Sequence, residues 1–211
     1  MTTQQLLLAI LIISVVLTII FGRALLRSDN NFYYRNGRAM RAWDILFAID
    51  KSKFNYRLQN MSEETLSLLR KWILLDVRFA PLAHLSVALL LYFSSLAYAR
   101  EGYRLLFDVL IGLQAVALIS HIITDIMLSG SLKSLEMQQS MRFFNANVFM
   151  KLAFPMAGCF VSFATAILVW FRYLNSFDLP LASLLFIAPV VLIVVTINIS
   201  KRFKSQPVKT N

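Results

Sequence analysis

The chain has 211 residues, of which 58% are hydrophobic and only 15% charged, and its formal net charge is +10. A soluble domain of this composition would have too little polar surface to cover itself. The basic excess would suggest nucleic acid in a soluble protein, but here it flanks apolar stretches, where anionic headgroups account for it, so no nucleic-acid partner is expected.

Five apolar stretches, at about 6–26, 79–98, 105–128, 149–171 and 181–200, divide the chain. About 20 predominantly apolar residues suffice to cross the hydrocarbon of a bilayer, so each reads as a membrane span. Assigning Lys and Arg to alternate gaps places eighteen on one side and three on the other. Because basic residues are retained on the cytoplasmic side, the N-terminus is expected outside and the C-terminus, with the basic tail 201–211, inside. The expected fold is all-α: a polytopic integral membrane protein with a five-helix transmembrane bundle and a cytoplasmic amphipathic helical segment between spans 1 and 2. The whole chain reads as a single membrane domain. The pattern is similar to small multi-span proteins of bacterial cytoplasmic (inner) membranes.

The first stretch follows Met1-Thr2-Thr3-Gln4-Gln5, which has no positive charge, and Phe21-Gly22-Arg23-Ala24-Leu25 offers no small-x-small cleavage site. It therefore reads as a retained anchor. The connection 27–76 is the only long region between spans. In it Phe32, Tyr33, Tyr34 and Trp43 interleave with Arg35, Arg38 and Arg41, while Met40, Trp43, Leu46 and Phe47 recur at helical spacing. That spacing predicts a short amphipathic helix in the headgroup layer, with Arg35, Arg38, Arg41 and Trp43 as candidate lipid-headgroup contacts. A second helix is expected from Ser62, whose hydroxyl caps it while Glu63 and Glu64 complement its dipole. It should pass Leu66, Leu69, Trp72, Ile73, Asp76 and Arg78 and enter the second span, bent near Pro81.

Both histidines of the chain, His84 and His121, fall in spans. An antiparallel hairpin turning near Gly102 and Tyr103 would set them face to face. On the third span Gln114, Leu118, His121 and Asp125 share one stripe, and Lys151 on the fourth is the expected partner of Asp125. His84, Gln114, His121, Asp125 and Lys151 thus form the candidate intramembrane polar cluster. It can fix helix packing through hydrogen bonds, or serve as a cytoplasm-facing proton relay. No cofactor or metal is expected: helices in contact leave little room for a porphyrin between His84 and His121, and two His with one Asp lack the spacing of a zinc motif.

Lesser features complete the reading. Cys159, the single cysteine, has no intrachain disulfide partner. Ala157-Gly158-Cys159 and Ala164-Thr165-Ala166 permit close helix approach. Pro81-Leu82-Ala83 and Pro155-Met156-Ala157 hint at a repeat of spans two and three as four and five, Gly130 suggests a turn after span three, and Pro189 suggests a bend in the last. The sequence holds no phosphate-binding GxxxxGK[ST], no HExxH and no GxSxG. The expected function is that of a non-enzymatic membrane component, accessory, scaffold or lipid-interacting. A small proton-coupled transporter using the His/Asp stripe is the alternative, followed by an enzyme acting on a lipid-soluble substrate. Expected partners are membrane lipids with anionic headgroups and either another protein or further copies of the chain.

Overall fold

The computed structural model describes residues 2–29, 31–97 and 102–173. The expected fifth span 181–200, Pro189 and the basic tail 201–211 lie outside the described residues. Among the described residues the protein is helical, in the order α1 (Thr3–Asp29), α2 (Ala42–Leu46), α3 (Lys51–Gln59), α4 (Glu63–Ala97), α5 (Arg104–Ser134) and α6 (Met141–Tyr173), with isolated bridges in place of strands. Four of these helices, α1, α4, α5 and α6, are long and apolar enough to cross a membrane. No more than 44% of the most apolar stretch of any of them is buried. Ile13, Ile126 and Phe160 are among the large apolar side chains left on the outside, as helices solvated by lipid require.

Contacts group the described residues into two compact units, one of 2–19, 82–97, 102–116 and 153–173, the other of 20–29, 31–81 and 117–152. In the first unit, Leu11, Leu90, Phe93 and Ala166 form one core, and Val87, Leu91, Phe107 and Leu110 another. Ser86 Oγ bonds to Ser14 Oγ at 3.0 Å, joining α1 to α4 there.

The second unit has the larger core, in which Phe32, Met40, Ile45, Phe54, Leu58, Leu69 and Phe144 are buried together. Phe54 and Phe144 meet edge to face, with centroids 5.5 Å apart. Helix α4 begins as its sequence indicates: Ser62 Oγ accepts from the Thr65 N–H at 3.1 Å, and Glu63 and Glu64 fill the first turn. It continues unbroken through Pro81, which removes one backbone donor. Helix α5 also runs through Gly130, where a turn was expected, to Ser134. Burial of Ser131 and Leu132 carries it onward, and Leu135, with a φ of 56°, makes the left-handed exit.

The connection departs most from expectation. No amphipathic helix covers Phe32 to Lys51; residues 31–41 are turn and bridge, and only the five residues of α2 are helical before α3. The Tyr34 carbonyl accepts from the Gly37 N–H at 2.9 Å and the Tyr34 N–H donates to the Arg38 carbonyl at 2.9 Å, closing a tight reversal. Gly37 has a φ of 79°, the left-handed residue that such a three-residue loop requires. The reversal is held to the start of α4 by Thr65, whose Oγ1 accepts from the Tyr33 N–H at 2.8 Å and donates to the Tyr33 carbonyl at 2.9 Å. Helix α3, unforeseen in the sequence, is capped by Asp50, which accepts from the Lys53 N–H at 2.7 Å.

Candidate functional site

The second unit contains a buried group of charges contributed by three helices. Asp76 lies on α4, His121 and Asp125 stand one turn apart on α5, and Lys151 lies on α6; all four are less than a tenth exposed. His121 Nε2 is 3.0 Å from Asp76 Oδ2. Lys151 Nζ is 3.4 Å from the same oxygen and 3.7 Å from Asp125 Oδ1. The ammonium therefore bridges two carboxylates while the imidazole holds one of them. Two carboxylates against one ammonium leave a deficit of one positive charge, which a proton on His121 or on a carboxylate closes. In a low-dielectric interior such a balance is strongly favoured.

Asp76, His121 and Asp125 also bring their ligating atoms within 4.8 Å of one another, a spacing compatible with a metal ion. Lys151 Nζ, however, contacts both carboxylates. A divalent ion would have to compete with the ammonium for these oxygens. The two carboxylates are engaged in an internal ion pair with Lys151.

Of the five residues singled out in the spans, this group unites three: His121, Asp125 and Lys151. Gln114 belongs to the first unit, where its amide donates to the Phe154 carbonyl at 3.0 Å. His84 is buried in the first unit also, whereas His121 meets Asp76, in the second. Asp76 is the member absent from the cluster expected from the sequence. Its signal was present: Leu69, Trp72, Ile73, Asp76 and Ala80 recur at helical spacing and are all buried, so a carboxylate interrupts an apolar stripe.

A second feature lies outside the spans, where the reversal meets α3. A cavity of about 450 Å³ is lined there by Tyr34, Arg35, Arg38, Asp44, Lys53 and Arg57, among others. Arg35 and Arg38 thus share one site although they are not on a helix. Arg35 Nε donates to the Met61 carbonyl at 3.1 Å, which fixes its stem. Arg41 instead precedes α2, its N–H bonded to Asp44 Oδ2 at 2.9 Å. Trp43 is partly exposed and stacks on exposed Phe47, with centroids 5.5 Å apart. Burial, followed by the nearby Asp44 carboxylate, holds the Tyr34 phenol above its ordinary value of 10.0, so its hydroxyl remains a donor at neutral pH.

Comparison with known proteins found no matching family model, curated protein or solved structure.

Proposed function

We propose that the chain is a non-enzymatic component of a cytoplasmic membrane, an accessory or lipid-interacting protein that works through the folded cationic segment between its first two membrane helices. The observation that carries this reading is the convergence of Arg35, Arg38, Lys53 and Arg57 on one cavity, in a segment that also exposes the stacked Trp43 and Phe47 rings. Cations and exposed aromatics within one short segment suit the boundary between headgroups and acyl chains. The alternation of basic residues along the sequence supports placing this segment and the C-terminal tail on the cytoplasmic side, with residues 181–200 as a fifth span. Purification in a mild neutral detergent, followed by mass spectrometry of retained lipids, tests the lipid part. Anionic lipid should be enriched over its share of the host membrane, and retention in proportion to that share would reject it. Cysteine labelling should place Asn60 and Lys209 inside and Gly102 and Ser176 outside.

A second reading is favoured by the buried Asp76, His121, Asp125 and Lys151 group, whose charge balance calls for one exchangeable proton: a small proton-coupled carrier. Reconstituted in vesicles, such a carrier would acidify the lumen on addition of its substrate, and His121→Ala would abolish that flux while leaving the protein inserted.

A further inference from the structure

The cavity between the Tyr34–Arg38 reversal and α3 has the composition of an anion site. Four cations, Arg35, Arg38, Lys53 and Arg57, face one carboxylate, Asp44, which is already engaged with the Arg41 N–H. Asp50 offsets Lys53 from outside, at 3.6 Å, so the three guanidinium groups dominate the lining. Arg57 is half-buried, and its Nη1 is enclosed with no hydrogen-bond partner among the described residues. A buried guanidinium nitrogen without an acceptor is costly, and an anion in the cavity would supply that acceptor. Guanidinium forks match the paired oxygens of a phosphate better than a point ammonium does. The volume of about 450 Å³ falls within the range of small-ligand sites, about 300–1,000 Å³, and so admits more than a bare ion. Tyr34 and Tyr56 also line the cavity.

We propose that this cavity binds a multiply charged phosphate group, of the phosphomonoester or diphosphate class, carried either by a lipid headgroup or by a soluble compound. A singly charged phosphodiester would leave the excess of positive charge uncompensated. The inference rests on the lipid-interacting reading above and makes it specific: the ligand is selected by its phosphate charge and by Arg38 and Arg57, rather than by a diffuse basic surface.

The test uses the full-length protein in neutral detergent, titrated calorimetrically with inorganic pyrophosphate. Wild type should bind, and Arg38→Gln and Arg57→Gln should each weaken binding by about tenfold or more. Arg57→Lys, which keeps the charge but loses the fork, should also weaken it. Arg70→Gln removes the same charge from an exposed position of α4 and should leave affinity unchanged. In nanodiscs, displacement of pyrophosphate by phosphatidic acid but not by phosphatidylglycerol identifies a lipid monoester as the source. Binding without displacement identifies a soluble one. Absence of pyrophosphate binding in wild type, or equal loss in Arg70→Gln, overturns the site. If the retained lipids are nevertheless enriched in anionic species in wild type and in both Gln variants, the general reading stands and only the cavity fails.

Discussion

His121 Nε2 and Asp76 Oδ2 are 3.0 Å apart, and the same oxygen of Asp76 is 3.4 Å from Lys151 Nζ. One carboxylate oxygen thus ties α4 to both α5 and α6 within the second unit. Removing the cation should therefore be worse than removing a cation and an anion together. Lys151→Met leaves two buried carboxylates without their ammonium and should cost about 3–5 kcal/mol, the range for breaking a buried pair from one side. Lys151→Met combined with Asp125→Asn restores the charge balance and should recover much of that loss. Unfolding free energies of Lys151→Met, Asp125→Asn and the double variant in detergent decide it, and a double variant as unstable as the sum of the singles would reject the coupling.

Gly37, at a φ of 79°, turns the chain between Tyr34 and Arg38. A Cβ built there meets nothing within 4 Å, so any penalty of substitution is backbone strain alone. Gly37→Ala should destabilise the protein by about 1–2 kcal/mol, the cost of a left-handed L-residue. Gly37→Asn should lose less, because Asn tolerates that conformation. Equal thermal midpoints for Gly37→Ala and wild type would contradict the geometry of the turn.

Thr65 Oγ1 serves Tyr33 twice, accepting from its N–H at 2.8 Å and donating to its carbonyl at 2.9 Å. Thr65 is buried, and Thr65→Val keeps its shape while removing both bonds. The expected cost is about 1–3 kcal/mol, since the part-buried Tyr33 N–H is left without its acceptor, whereas the Tyr33 carbonyl keeps the Ser62 N–H at 3.3 Å. Thr65→Ser retains the oxygen and should lose less. Hydrogen exchange at the Tyr33 amide should accelerate in Thr65→Val and change little in Thr65→Ser.

Asp50 gives a pH signature to α3. The Lys53 backbone N–H, opposed by some burial and aided by the Lys53 ammonium, holds the Asp50 carboxyl below its ordinary value of 3.8. A carboxyl that titrates lower in the folded than in the unfolded chain stabilises above the unfolded value, and that contribution disappears as pH falls through the folded one. Asn caps a helix without titrating. Relative to Asp50→Asn, wild type should therefore lose protection of the α3 amides as pH drops below 3.8. A difference between the two proteins that stays constant across that acid window would exclude the carboxylate as the cause.

The long helices were legible because apolar contiguity is a one-dimensional property, and Ser62 marked the start of α4 because its cap is local. The interval from Phe32 to Lys51 misled because Met40, Trp43, Leu46 and Phe47 recur at helical spacing, while Asn36-Gly37, a strong reversal signal, lies just before them. Tertiary anchoring by Thr65 favours the reversal, and nothing in the interval itself announces that anchor. Within the spans, the Lys151 and Asp125 pair could be read from depth and charge, and the structure sets the two 3.7 Å apart. The stripe that contains Asp76 marks it as facing inward, but its place before the most apolar part of α4 makes it resemble a flanking residue, and its partner His121 is distant in sequence. Lys53 and Arg57 join Arg35 and Arg38 only because α3 folds back onto the reversal.

Gly158 shows what the small residues of the first unit do. A Cβ at this position would lie 2.6 Å from Val87 Cγ1, 3.0 Å from Gln114 Nε2 and 3.2 Å from Leu91 Cδ1. Val is β-branched and stiff at χ1, so its methyl cannot move aside as the end of a long chain could. Gln114 is restrained as well, since its amide donates to the Phe154 carbonyl at 3.0 Å. Gly158→Ala should thus force backbone displacement and cost about 1–3 kcal/mol, the usual range for overpacking. Val87→Ala would remove the clashing methyl and leave a cavity, and in the double variant the methyl introduced by Gly158→Ala would partly occupy that space. The double variant is therefore expected to be more stable than the sum of the two singles implies, by a coupling readable from thermal unfolding in detergent. Strict additivity, or a Gly158→Ala protein as stable as wild type, would show that the helices do not approach as closely as this contact requires.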